Sequence, residues 1–208
     1  DSEWMFGLPV GTVRLEGKSA ATLLGNLSLI NEAGGQTELT PASPKEVDSG
    51  FDVVLGNPPY VRHEKIKHLK PLFQPTYPDT YTGTADLYVY FYDCALRLLR
   101  PGGTISYITS NSFLNSAFGE KLRQHLATTT RLIVLVDFAE ANVFTAITEP
   151  CVLIASKGAS SGNSFKALRW NQEKEPENFV AELNVNAFSM PQNALGRTPW
   201  RIEVPTIR

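Results

Sequence analysis

The chain has 208 residues, 42% of them apolar and 19% charged, with a net charge of −2 and a pI near 6.0. This is the composition of an ordinary globular domain with a substantial core, and it excludes a protein that holds nucleic acid by overall positive charge; any such contact needs a local patch or another part. Cys94 and Cys151 fall in a helical and a strand pattern, so they read as small buried side chains in a reducing compartment rather than as a disulfide pair. No signal peptide or bilayer-length apolar run is evident, and the chain starts on Asp1-Ser2-Glu3, so a cytoplasmic protein or an excised part of one is expected.

Residues 1–50 carry the weakest pattern. Trp4, Met5, Phe6 and Leu8 cluster, Val13 and Leu15 alternate like a short strand, Lys18 to Ile30 suits one helix, and Asn31 to Gly50 reads as a solvated loop. Phe51 to Arg62 (FDVVLGNPPYVR) is the informative stretch: an apolar, β-branched run ends at Gly56-Asn57-Pro58-Pro59-Tyr60. It predicts a buried strand that delivers polar groups at its carboxyl end, where open α/β sheets bind ligands. Two prolines fix φ and lack N–H groups, so the backbone after Asn57 is stiff. The Asn57 side-chain oxygen and the Pro58 carbonyl are then two acceptors for the hydrogens of a planar amino group, with the Tyr60 ring as a face for stacking. The plain alternative is a strand followed by an Asn-Pro turn.

Arg62 to Gly83 joins Arg62, His63, Lys65, Lys67, His68 and Lys70 to Tyr77 and Tyr81. It reads either as a mobile basic and aromatic strand near a phosphate backbone or as a solvated helical turn and loop. The His63/His68 spacing, without cysteine or carboxylate company, does not suggest a metal site. Thr84 to Arg100 has apolar residues at helical spacing, with Thr84 as a cap and Pro101-Gly102-Gly103 as the stop. The following strand, Thr104 to Thr109, implies a parallel crossover. Ser110-Asn111-Ser112 then either lines the crevice or caps the next helix, Asn115 to Ala127. Leu132 to Phe138 and Cys151 to Ser156 read as buried strands, with Glu140 to Thr148 a loop between them. Beyond Gly158 the composition turns linker-like; Phe165 to Trp170 suits one more strand, and the remainder lacks steady periodicity. No acidic pair followed by Glu-x-Lys, as a nuclease would need, accompanies Pro78-Asp79.

NPPY after FDVVLG, followed by YTGTADLYVYFYDCALRLLRPGGTISYITSNSFL, resembles the N6-adenine DNA methyltransferases of type II restriction-modification systems, nearest those fused to a nuclease. The resemblance covers about Gly50 to Lys157. It implies an α/β fold, a Rossmann-like, mostly parallel methyltransferase sheet with flanking helices, of which this chain holds the C-terminal half. It implies residues 1–50 as a lead-in, 51–157 as the catalytic core, and 158–208 as a linker into a target-recognition region. It further implies S-adenosylmethionine as cofactor and double-stranded DNA with a flipped adenine as substrate, in a bacterial or archaeal cytoplasm. Asn57, Pro58 and Tyr60 become catalytic. Phe144 joins Tyr60 in stacking on the base, the alternative being an apolar anchor for its loop. Asp86, Phe91 and Asn57 face the cofactor, although on helical spacing alone Phe91 reads as core. The family's glycine-rich turn and its acidic ribose ligand are not found in this sequence, so the cofactor site is expected to be completed by a missing N-terminal part, in cis or in trans. The same NPPY geometry also suits a protein glutamine methyltransferase, and a non-catalytic scaffold or DNA-binding fragment is the third reading.

Overall fold

The computed structural model describes residues 50–138, 149–159, 161–170 and 179–203. Among them β1 (Phe51–Gly56), β2 (Leu99–Ser110), β3 (Thr130–Asp137), β4 (Pro150–Lys157), β5 (Ser164–Arg169) and β6 (Phe188–Pro191) make one sheet in the order β1-β2-β4-β3-β5-β6. β1 pairs parallel to β2 and β3 parallel to β5, while β4 runs antiparallel between β2 and β3, and β6 antiparallel to β5. Four of the six strands therefore share a direction. The carboxyl ends of β1, β2 and β3 and the start of β4 meet at one rim, where Ser110 lies opposite Pro150 and Asp137 opposite Cys151.

Five α-helices accompany the sheet among the described residues: α1 (Lys70–Thr76), α2 (Leu87–Leu98), α3 (Ser112–Asn115), α4 (Glu120–Thr129) and α5 (Phe179–Asn186). Residues of α2, α3 and α4 share one core with Ile105, Leu132, Leu135 and Leu153. Val134 and Val136 point to the opposite face, where Phe138, Leu168 and Trp170 form a smaller core with Phe179 of α5. The side chains of β3 thus alternate between two helix-covered faces, as a central strand requires. No helix among the described residues is long and apolar enough to cross a membrane.

The structure corrects several expectations. β1 is not buried: Phe51, Val53 and Leu55 are 37%, 53% and 73% exposed. The strand pairs only with β2 among the described residues, so its alternate residues Phe51, Val53 and Leu55 share a face that nothing described covers. Thr84 does not cap α2. Asp86, extended at φ −71° and ψ 162°, precedes the first helical residue. The backbone before it is held elsewhere, because the Lys70 ammonium draws in the carbonyls of Thr82 and Ala85. The helix expected over 115–127 starts only at Glu120, as α4; the single turn α3 ends at Asn115, and Gly119 precedes α4. A Cβ on Gly119 would overlap the Phe113 carbonyl, so this close approach requires glycine. The C-terminal stretch without periodicity supplies β6 as well as α5. The Glu140 to Thr148 loop, and with it Val143 and Phe144, lies outside the described residues, as do the elements expected over residues 1–49.

The basic connection after Arg62 is helical, a 3-10 turn over His63–Leu69 running into α1. Tyr77 and Tyr81 do not stand free as stacking platforms. Tyr77 packs on Phe73 and Tyr90, and Tyr81 on Tyr90. Beneath them Lys70 is buried, donating to Ala85 O at 2.5 Å and Tyr90 Oη at 2.9 Å, with its charge 4.9 Å from the Tyr90 ring centre. Burial without a contacting carboxylate lowers its pKa to about 8, and Asp86 nearby opposes that shift only in part. Below pH 8 this lysine is charged folded and unfolded, and the cost of burying the charge is fully present. Above pH 8 the native protein releases the proton while the unfolded chain keeps it, so stability rises with pH toward 10. Lys70→Met is expected to flatten that rise, as read from denaturation midpoints at pH 7.5, 8.5 and 9.5.

Candidate active site

One hydrogen bond closes the motif after β1 on itself and two fasten it to the start of α2. Val61 N–H closes a tight turn onto Pro59 O at 3.0 Å, Leu87 N–H donates to Val61 O at 2.9 Å, and His63 N–H donates to Asp86 Oδ1 at 2.9 Å. They set Tyr60, Arg62, Asp86 and Tyr88 along one wall of a pocket. The opposite wall comes from Ser110, Asn111, Ser112 and Glu149. Asn111 knits that wall together: its N–H donates to Glu149 O at 2.8 Å, and its Nδ2 donates to Asp137 Oδ1 at 2.9 Å and Glu149 Oε2 at 3.1 Å. One side chain thus ties the ends of β2, β3 and β4. Ser110 accepts from Ser112 N–H at 3.2 Å, and the two hydroxyls lie 2.8 Å apart.

The pocket holds about 260 Å³, just below the roughly 300–1,000 Å³ typical of drug-sized ligands and suited to a single small polar ring. Its lining mixes hydroxyls, an amide, two carboxylates and an arginine. Tyr60 is half-buried with its hydroxyl fully covered, and burial pushes its pKa up to about 12. The phenol therefore stays neutral. Pro58 is buried, whereas Asn57 is exposed.

Of the residues picked from sequence, Tyr60, Asp86 and the Ser110-Asn111-Ser112 run stand together around the pocket. The crevice reading of that run holds, and Asn111 precedes α3 without a side-chain capping bond. Asn57 and Pro58 immediately precede Tyr60 at the carboxyl end of β1 but are not among the pocket-lining residues. Phe91 does not reach the pocket; it is half-buried against the main core, and its carbonyl accepts from Tyr107 Oη at 3.5 Å. Tyr88, Asp137 and Glu149 were not singled out by pattern. Tyr88 is one of four aromatics in α2, and the two acids carry only the weak signal of polar residues flanking apolar strands, Asp137 at the end of β3 and Glu149 just before β4. Among the described residues, no group of three His, Cys, Asp or Glu is placed to hold a metal ion.

A mixed sheet with an antiparallel strand between β2 and β3, helices on both faces and a polar pocket at the strand ends defines a Rossmann-like methyltransferase fold. Its likeness to the ATP-dependent Type ISP restriction-modification enzyme LlaBIII bound to DNA has a TM-score of 0.52 at 16% identity, covering 69% of this chain and 12% of that one. Residues 21–144 match the Eco57I restriction-modification methylase family, and the chain belongs to it. It is 30% identical over 145 residues to the Type II methyltransferase M.BanIII of Aneurinibacillus aneurinilyticus, covering 67% of this chain and 22% of that protein. It is 27% identical over 176 residues to the adenine-specific methyltransferase PglX of Streptomyces coelicolor, covering 78% of this chain and 14% of PglX. The chain thus spans about a fifth or less of the length of these relatives.

Proposed function

We propose that this chain is the catalytic portion of an enzyme that transfers a methyl group from S-adenosylmethionine to the exocyclic nitrogen of an adenine flipped out of duplex DNA. The observation that carries this reading is Asn57-Pro58-Pro59-Tyr60 at the carboxyl end of β1, with the Tyr60 ring on the wall of a base-sized polar pocket. An adenine inside a duplex does not expose its amino nitrogen to such a pocket, so it leaves the stack first. Asn57 Oδ1 and Pro58 O accept the two N–H bonds, raise electron density on nitrogen and aim its lone pair. Tyr60 holds the ring by its face. No general base is needed before transfer, because the neutral amine attacks and loses its proton afterwards.

The methyl donor is assigned to the polar groups beside this pocket, exposed Asn57 directly after β1 and the Asp86 carboxylate directly before α2, while Phe91, packed against the main core, would have to reach it from behind. S-adenosylmethionine supplies an electrophilic methyl there, and the remaining cofactor contacts and the DNA sequence readout are assigned to other parts of the protein. Arg62, exposed at the pocket mouth, is placed to meet a phosphate of the extruded nucleotide.

The test is to incubate the intact protein with labelled S-adenosylmethionine and with adenine-containing duplex DNA or a bacterial protein extract. Digestion of the labelled DNA is expected to yield N6-methyladenine. Label found only on glutamine of protein would replace this reading with a protein methyltransferase, and label on neither would remove it.

A further inference from the structure

The connection after β1 carries charge that the catalytic reading leaves unused. Over its 3-10 turn and the start of α1, Ile66, Lys70 and Phe73 face inward and are buried, while Arg62, Lys65, Lys67 and His68 are exposed. Lys65 N–H donates to Arg62 O at 3.0 Å, so the two cations lie within one turn of each other. Glu64 is the one carboxylate of the turn, and its Oε2 lies 3.5 Å from His63 Nδ1 rather than against a lysine. Among the described residues Arg62, Lys65 and Lys67 make no ion pair. Arg97 and Arg100, by contrast, are matched by Asp93 and Asp52, and Arg123 and Lys157 turn onto backbone carbonyls. In a chain of net charge −2, the turn is therefore a local concentration of unmatched positive charge.

The turn is also held in place. His63 N–H fastens its first residue to Asp86, and the Lys70 ammonium fastens the residue after it to Ala85 O, so both ends are tied to the segment that opens α2. Arg62 lines the pocket, which puts the start of the turn at the pocket mouth. Tyr77 and Tyr81, which follow, are packed against Phe73 and Tyr90, so this segment offers charge rather than the ring faces on which an unpaired strand stacks. We propose that the His63–Leu69 turn is a phosphate-binding surface for duplex DNA, in which Lys65 and Lys67 hold backbone phosphates beside the extruded nucleotide and continue the contact begun by Arg62. The inference rests on the proposed adenine methylation and adds the part of the substrate that the turn meets. Such contacts seat the duplex over the pocket without reading its sequence.

Both lysines are exposed, so the double variant Lys65→Ala/Lys67→Ala is expected to melt with the wild type. The intact wild-type and variant proteins are compared for affinity to a short adenine-containing duplex by fluorescence anisotropy across a salt series, and for methylation of the same duplex. Each phosphate contact contributes about 0.9 to the slope of log affinity against log salt, so the variant's slope should be shallower by about 1.8. Raising salt from about 50 to 200 mM should then cost the wild type about tenfold more affinity than the variant. The effect on methylation should fall on KM for DNA rather than on kcat, and Lys65→Arg/Lys67→Arg should restore both affinity and slope. Equal slopes, or a loss of affinity that salt does not alter, overturn the proposal while adenine methylation stands. A loss seen with single-stranded DNA but not with the duplex also overturns it, by assigning the turn to an unpaired strand. If the wild-type protein neither binds nor methylates DNA, both readings fall together.

Discussion

Asn57→Ala is expected to lower the methylation rate of the intact protein by about 10²–10³ or more, the loss seen when one preorganised polar contact to a reacting group is removed. Its effect on stability should be within about 0.5 kcal/mol, because the side chain is exposed and nothing in the described structure leans on it. Affinity for DNA should also survive, since duplex affinity comes mainly from phosphate contacts elsewhere. The separation is the point of the experiment: a dead enzyme that melts and binds DNA like wild type has lost an acceptor, not a fold. A variant that methylates at a near-normal rate removes Asn57 from the mechanism and leaves the pocket without its chemical rationale.

Arg123→Ala is expected to have the largest effect on stability. Arg123 of α4 is 3% exposed, and its guanidinium donates to Phe113 O at 2.6 Å, Ser116 O at 2.8 Å, and Arg197 O from Nε at 2.9 Å and Nη2 at 2.5 Å. It closes the open end of the α3 turn and holds the segment that carries Trp200. That ring packs on Phe113 with centroids 6.3 Å apart, and its backbone N–H donates to Leu114 O at 2.8 Å. Truncation strands the carbonyls of Phe113 and Arg197, which cost about 1–3 kcal/mol each when unpaired, while Ser116 O keeps the Gly119 N–H at 3.3 Å. Relief from burying the charge offsets part of this, since burial already lowers the arginine pKa. The net loss should be about 3 kcal/mol, or roughly 6–12 °C in Tm for a chain of this size. Differential scanning calorimetry checks it, and a shift under 2 °C would mean that α3 and the Trp200 segment are held by packing alone. Because Phe113 follows Ser112 directly, the variant should also loosen the pocket wall and raise KM for DNA before it affects the chemistry.

Much of the core and of the candidate site was legible as pattern. The β-branched run before Asn57, the helical spacing through α2, the Pro101-Gly102-Gly103 stop and the apolar runs of β3 and β4 are local signals, each set by the pairing and burial needs of a single element. Ser110 to Ser112 could be placed at the rim because a polar cluster directly after a buried strand has few other places to go. The Gly158 to Trp170 region was legible only as one short strand, and its place beside β3 was not.

Amino-acid order alone determined the strand and helix alternation, the two rigid acceptors after β1 and the family likeness, because these depend on residues adjacent along the chain. Only the tertiary structure decided that β4 inserts antiparallel between β2 and β3, that Lys70 and Arg123 are buried against backbone carbonyls, and that Tyr60 and Asp86 come together with Ser110, Asn111 and Glu149 around one pocket. Those outcomes turn on contacts such as Lys70 to Ala85, 15 positions apart, and Arg123 to Arg197, 74 positions apart. Local propensity says nothing about which distant carbonyl a buried cation will reach.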